Sequence, residues 1–222
     1  MRLALEFSKK GAAKYISHLD LQRAFSRALR RSGMPVKLSL GFNPHYVVSF
    51  ASALPLGIES ECECVEIALA SPVQPRDFLL SVAREMPPGL LVKRAVVLSE
   101  NAPKLMAALE RAAYCAYIET GCFERVVSAV DSIMDSDEVL TVKRRDDKQK
   151  SVNIRDMILE LSCADGKVDM LLLASQKSTL RPDVVMRAIE TRTGRLYADI
   201  VRTGLFTETN GVSVPLFTAF AL

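Results

Sequence analysis

The segment from Ser17 to Pro35 constrains this chain more than any other, because both its ends and both its faces are specified. Ser17 is a favoured N-cap and Asp20 follows three residues on in a capping-box-like position, while Gly33 and Pro35 stop the helix. Leu21, Phe25, Ala28 and Leu29 recur at the spacing of one buried face. Nearly opposite them, Arg23, Arg27, Arg30 and Arg31 gather within roughly 80 to 100° of the helical wheel. The preceding stretch, Arg2 to Phe7, alternates around apolar residues as a strand does, and Lys9-Lys10-Gly11 turns it. A strand followed at once by such a helix needs a sheet for the helix to pack on.

The rest of the first hundred residues completes that sheet. Val36 to Leu40 and Tyr46 to Phe50 read as strand around the turn Gly41-Phe42-Asn43-Pro44-His45, and Leu54-Pro55-Leu56-Gly57 bends again. Glu61 to Leu69 is a strand, Pro75 to Glu85 a second helix ended by Pro87-Pro88-Gly89, and Leu90 to Leu98 a closing strand. This order is that of a split βαβ unit. After a short helix at Pro103 to Glu110 it repeats: strand from Ala112 to Glu119, helix from Phe123 to Met134, strand from Val139 to Arg144. A hairpin of Val152 to Cys163 and Lys167 to Ala174 turns at Ala164-Asp165-Gly166, followed by a helix over Arg181 to Thr191 and a strand over Tyr197 to Phe206. Val212 to Leu222, after the Asn210-Gly211 turn, is expected to pair with that last strand. The expected fold is α+β, with two tandem ferredoxin-like domains over 1–100 and 111–222, a size that 222 residues accommodate.

No apolar run approaches the ~20 residues of a membrane span, and Lys9 and Lys10 interrupt the apolar start, so a cytoplasmic location is expected. Cys62, Cys64, Cys115, Cys122 and Cys163 are odd in number and scattered, which predicts free thiols rather than a disulfide framework. They include no CxxxCxxC triplet for an iron–sulfur cluster. The net charge of +3 conceals an asymmetry: residues 1 to 50 hold nine Lys or Arg against Glu6 and Asp20, a local +7, which leaves −4 for the remainder. A strongly basic end points to a polyanion, with phosphate backbone the first candidate.

The candidate binding residues are therefore Lys14, Arg23, Arg27, Arg30 and Arg31, joined by Asn43, His45 and Tyr46 of the turn, with His18 and Phe42 as further ligand contacts. Arginine suits bidentate phosphate contacts better than lysine, and on this helix only Asp20 stands where it can pair, with Arg23. The bland reading of such a stripe is a solvated helix face. His18 falls on the side of the apolar face and reads first as a partly buried structural residue. For His45 a structural role, ligand contact and acid–base chemistry all remain open. Tyr15, Phe42 and Tyr46 are core residues or, if exposed, surfaces on which unpaired bases stack. The two histidines form no local chelating pair, so no metal is expected. Glu59, Glu61, Glu63 and Glu66 threaten the binding reading, since they could neutralise the arginines. The run Lys143 to Lys150 is a hairpin tip or an extension of a basic track. With no Gly-rich phosphate loop, nucleophile elbow or dinucleotide fingerprint, no cofactor is expected and no catalytic residue is assigned.

Tyr15-Ile16-Ser17-His18-Leu19-Asp20, Arg27-Ala28-Leu29-Arg30-Arg31, Gly41-Phe42-Asn43-Pro44-His45, Leu54-Pro55-Leu56-Gly57-Ile58-Glu59-Ser60 and Glu63 together resemble the radical SAM-linked protein family, a bacterial domain of unknown function. Val152-Asn153-Ile154-Arg155 and Leu180-Arg181-Pro182 resemble further segments of it. Members are fused to, or encoded beside, a radical SAM protein with a cobalamin-binding region, often near genes for ribosomal proteins and RNA processing. The resemblance implies a separately encoded radical SAM protein as partner, and RNA (tRNA or rRNA) or a ribosomal component as substrate. The expected function is an accessory RNA-binding domain that presents such a substrate to that enzyme, with no catalytic activity of its own. Two alternatives stand beside it: a metal-independent endoribonuclease, by architectural resemblance to the tandem ferredoxin-fold enzymes that process CRISPR repeats, and a purely protein-docking subunit.

Overall fold

The first strand, β1 (Arg2–Lys9), forms where expected and carries Leu3, Leu5 and Phe7 into the core, but both its faces are buried from Leu3 to Lys9. The structure is a computed structural model; it describes every residue except Thr120, Cys122, Asp146 and Asp147, and the backbone alone for the rest of 143–150. The thiol of Cys122 and the basic run Lys143 to Lys150 therefore lie outside the described side chains.

After β1 come α1 (His18–Ser32), β2 (Val48–Phe50), β3 (Glu59–Ala68), α2 (Pro75–Ala83), β4 (Leu90–Val97) and the short α3 (Leu105–Ala108). β1 lies antiparallel between β3, with Leu5 opposite Val65, and β4, with Leu3 opposite Val97. β2 pairs antiparallel with β3, Ser49 opposite Glu66. The order β4-β1-β3-β2, antiparallel throughout, is that of a split βαβ unit. Leu21, Phe25 and Leu29 of α1 and Phe78 and Val82 of α2 pack on Leu3, Leu5, Phe7, Val65 and Ile67 of the sheet.

The strands expected at Val36 to Leu40 and Tyr46 to Phe50 shrink to β2 and two isolated bridges, Val36 to Leu69 and Leu38 to Tyr46. Pro35 and Pro44 lack the N–H a ladder needs, and Gly41 takes φ 127°, so the chain forms a closed tip instead.

The second unit runs through β5 (Arg111–Ile118), α4 (Phe123–Asp135), the two-stranded pair β6 (Leu140–Arg145) and β7 (Lys148–Asn153), then β8 (Ile158–Ala164), β9 (Lys167–Leu173), α5 (Pro182–Thr193) and the start of β10 (Ala198–Thr209), as far as Thr203. Its strand order is β10-β5-β9-β8, with β9 antiparallel to both β5 and β8. The single strand expected from Val152 to Cys163 is broken between β7 and β8 by a short 3-10 turn at Arg155–Met157. There the Asn153 side-chain oxygen accepts the backbone N–H groups of Val139 and Arg155, and so diverts the chain. Asp165 and Gly166 take positive φ at the β8–β9 turn, as the sequence expects.

The protein is thus α+β in two compact units, Met1–Glu110 with Gly204–Leu222, and Arg111–Thr203. The expected division at 1–100 and 111–222 differs in its last segment. β11 (Val212–Pro215) pairs with Phe206 to Thr209 of β10 as expected, but the chain has rejoined the first unit from Gly204 on, so β11 and the end of β10 belong to it. The Ser99 N–H donates to the Phe220 carbonyl, Ala221 bridges to Leu98, and Arg94 lies 4.5 Å from the ring centre of Phe217. Leu216 and Phe217 are fully buried there, and that burial holds the tail.

Candidate functional site

The side chains of interest stand on α1 and on the tip that follows it. α1 starts where the sequence places it: the Asp20 N–H donates to Ser17 Oγ at 3.1 Å, and Gly33 closes the helix at φ 67°. Its entry is pinned from below. The buried Lys9 ammonium donates to the Ile16 carbonyl at 3.0 Å, Gly57 N–H donates to the Lys14 carbonyl, and Gly11 N–H donates to Glu59 at 2.9 Å. Many of the residues that carry the family resemblance thus fix where α1 begins, and hence which way its arginines point.

Leu21, Phe25, Ala28 and Leu29 face the core, and Phe25 lies 4.7 Å from the Phe7 ring and 5.2 Å from that of Phe50. The stripe on the other side of the helix, Leu19, Gln22, Arg23, Ser26, Arg27 and Arg30, faces a groove of about 860 Å³. Leu38, Pro44, His45 and Tyr46 line the groove's other wall, with Val48 and Phe50. Phe50 is buried and belongs to the aromatic core, so the floor of the groove is built on close-packed side chains.

The tip is closed by one pair of residues. Ser39 N–H donates to the His45 carbonyl at 2.7 Å, His45 N–H donates to Ser39 Oγ at 3.1 Å, and Ser39 Oγ and His45 Nδ1 share a hydrogen bond of 2.9 Å. With Nδ1 so engaged, the His45 ring is oriented, and its Nε2 makes no hydrogen bond among the described residues. Leu40 and Phe42 at the apex are wholly exposed, and Asn43 is exposed beside them.

The acidic residues that could have silenced the arginines have other partners. Glu61 pairs with Lys10 and Lys93, whose hydrogen bonds hold its carboxyl below the usual range. Glu66 is buried and accepts from Arg2 at 3.1 Å and Lys104 at 2.6 Å. Glu63 is buried beneath the start of α1, within electrostatic reach of His18. Asp20 takes Arg23 at 3.0 Å; its carboxyl is lowered first by the Ser17 hydroxyl and then by Arg23. Arg27 and Arg30 are exposed and make no ion pair among the described residues.

Of the candidates named from sequence, Arg23, Arg27, Arg30, His45 and Tyr46 converge on the groove. Arg31 does not: its guanidinium donates to the carboxylate of Glu85 at 2.7 Å, just past the end of α2. Lys14 sits 5.5 Å over the exposed Tyr15 ring, away from the groove lining. His18 is half-buried, its edge against Phe50 at 5.4 Å and its Nε2 3.1 Å from the Gln22 amide, while its Nδ1 is buried. Burial, the largest cause, holds its pKa below the ordinary value, with Glu63 opposing and Lys9 adding to the shift. Leu19, Gln22, Ser26, Leu38, Val48 and Phe50 were not singled out in advance. For the first three the signal was present, since positions 19, 22, 23, 26, 27 and 30 continue one i, i+3, i+4 stripe.

The described cysteines Cys62, Cys64, Cys115 and Cys163 form no disulfide, and burial raises the thiols of Cys64, Cys115 and Cys163. Among the described residues no helix is long and apolar enough to cross a membrane. Residues 2–182 match a family model described as "uncharacterized protein conserved in bacteria (DUF2344)". No curated protein matches the chain.

Proposed function

We propose, for a chain that belongs to this uncharacterized bacterial family, that the groove between α1 and the 38–48 segment holds the phosphodiester backbone of RNA. The protein then acts as an accessory subunit presenting RNA, or a ribosomal component, to a separately encoded radical SAM enzyme. The observation that carries this reading is the pair Arg27 and Arg30: two exposed guanidiniums on one wall of a groove, while Glu61 and Glu66 pair with Lys10, Lys93, Arg2 and Lys104 instead. Unpaired guanidiniums keep their full capacity for bidentate phosphate contacts. The packed floor at Phe50 and the Ser39–His45 closure shape the two walls before any ligand arrives, which lowers the ordering cost of binding.

The test is fluorescence anisotropy with labelled RNA over a salt series. Three phosphate contacts predict an affinity loss of roughly 20-fold between about 50 and 200 mM salt for a single strand. Reversing Arg27 and Arg30 to glutamate should abolish binding while leaving the circular dichroism spectrum unchanged. Wild-type affinity in the double variant sinks the proposal. Co-purification of a radical SAM protein that survives the reversals, without RNA binding, would make the chain a docking subunit. Metal-independent cleavage of RNA lost in His45→Ala would make it a nuclease.

A further inference from the structure

We infer that the groove is selective for an unpaired strand, with one base seated over Phe50 beside Tyr46; this deepens the RNA reading above and rests on it. The two walls of the groove differ in chemistry. Arg23, Arg27 and Arg30 form a cationic wall along α1, whereas Leu38, Pro44, Tyr46, Val48 and Phe50 form an apolar and aromatic one. Phosphate binding accounts for the first wall only. A duplex displays phosphates and keeps the faces of its bases stacked, so it meets the arginines and leaves the floor empty. A single strand satisfies both walls, its backbone following α1 and a base turned inward.

Dimensions agree with this occupant. The three arginines rise along the helix by roughly 10 Å, the reach of a few nucleotides rather than of one small anion. The groove, about 860 Å³, falls within the ~300–1,000 Å³ of sites that enclose a small planar ligand. Polar groups stand where a base edge would lie: Gln22 and Ser26 on α1, and the His45 ring, whose Nδ1 is engaged by Ser39. Phe42 fits the same picture. Its wholly exposed ring at the apex of the tip offers a second face on which the neighbouring base stacks.

The experiment compares a labelled RNA of about ten nucleotides, single-stranded and annealed to its complement, by anisotropy at fixed salt with wild type, Tyr46→Leu and Phe42→Ser. Tyr46→Leu keeps apolar contact with the core and Phe42→Ser alters a fully exposed site, so both variants should fold, which thermal unfolding checks. The expected result is single-strand binding roughly 5- to 100-fold tighter than duplex binding, a loss of similar size in Tyr46→Leu, a smaller one in Phe42→Ser, and salt slopes that do not change. Equal affinity for the two forms, with both variants binding like wild type, overturns this inference and leaves the RNA reading standing. Absence of binding to either form removes the RNA reading itself.

Discussion

The Arg31 guanidinium donates through Nε to a Glu85 carboxylate oxygen at 2.7 Å and through Nη2 to the Glu85 carbonyl, which ties the end of α1 to the chain just beyond α2. One arginine of the basic stripe is therefore tied to a distant part of the fold, whereas Arg23 pairs only locally with Asp20, and Arg27 and Arg30 make no ion pair among the described residues. Arg31→Ala should change RNA affinity by less than about twofold, and stability by no more than about 1 kcal/mol, as for a half-exposed pair. Arg27→Ala and Arg30→Ala should each lower the salt slope by roughly 0.7. Parallel binding and urea-denaturation curves of the three variants check both statements, and a large binding loss in Arg31→Ala contradicts the division.

Glu66 is buried and accepts from Arg2, Lys104 and, at 3.4 Å, the Leu105 N–H. Its removal leaves Arg2 with the carbonyls of Ser99 and Ala102, and Lys104 can turn to water, so the cost stays moderate. Glu66→Ala should lower stability by about 1–3 kcal/mol in denaturant titration, without altering RNA affinity.

Gly89 takes φ 84° where its carbonyl accepts the Lys10 N–H, and a Cβ there would stand 2.6 Å from the Lys10 carbonyl oxygen and 2.8 Å from the Ala13 Cβ. Both the left-handed backbone and the contact penalise any side chain. Gly89→Ala should cost roughly 2–4 kcal/mol, read as a lowered midpoint of thermal unfolding.

His18 carries a pH dependence of definite sign. Burial lowers its pKa from 6.5, so above that value both folded and unfolded chains hold it neutral. As pH falls below 6.5 the unfolded chain takes up the proton first, and stability declines until the folded pKa is passed. The slope of this contribution cannot exceed about 1.4 kcal/mol per pH unit. Denaturation of wild type and His18→Gln between pH 7.5 and 5.5 should show a smaller acid loss in the variant; equal losses would refute the assignment.

The elements that local periodicity specifies were legible in the sequence. α1 is one, with Ser17, Gly33 and its apolar stripe, and the convergence of Arg23, Arg27 and Arg30 follows from the wheel alone. What was not legible depends on partners distant in the chain. Glu85 claims Arg31 across 54 residues and Lys93 claims Glu61 across 32, choices that only the tertiary register makes. The floor of the groove was hidden for a related reason. Phe50 and Val48 look like ordinary strand residues, and only the closure of the tip by Ser39 and His45 makes them a surface. The tail escaped because nothing local in Leu216-Phe217 indicates that Arg94 and Leu98 receive it.

Completion of the basic unit by Gly204–Leu222 has a consequence for the order in which the protein matures. A ribosome delivers 111–203 before it delivers the segment that pairs Phe220 with Ser99 and Ala221 with Leu98. The unit that carries the arginine groove is thus finished after the unit of 111–203. Its nascent form waits, with β1, β3 and β4 already synthesised, until 204–222 have followed, so chains cut short after the second unit leave the arginine groove on an unfinished scaffold.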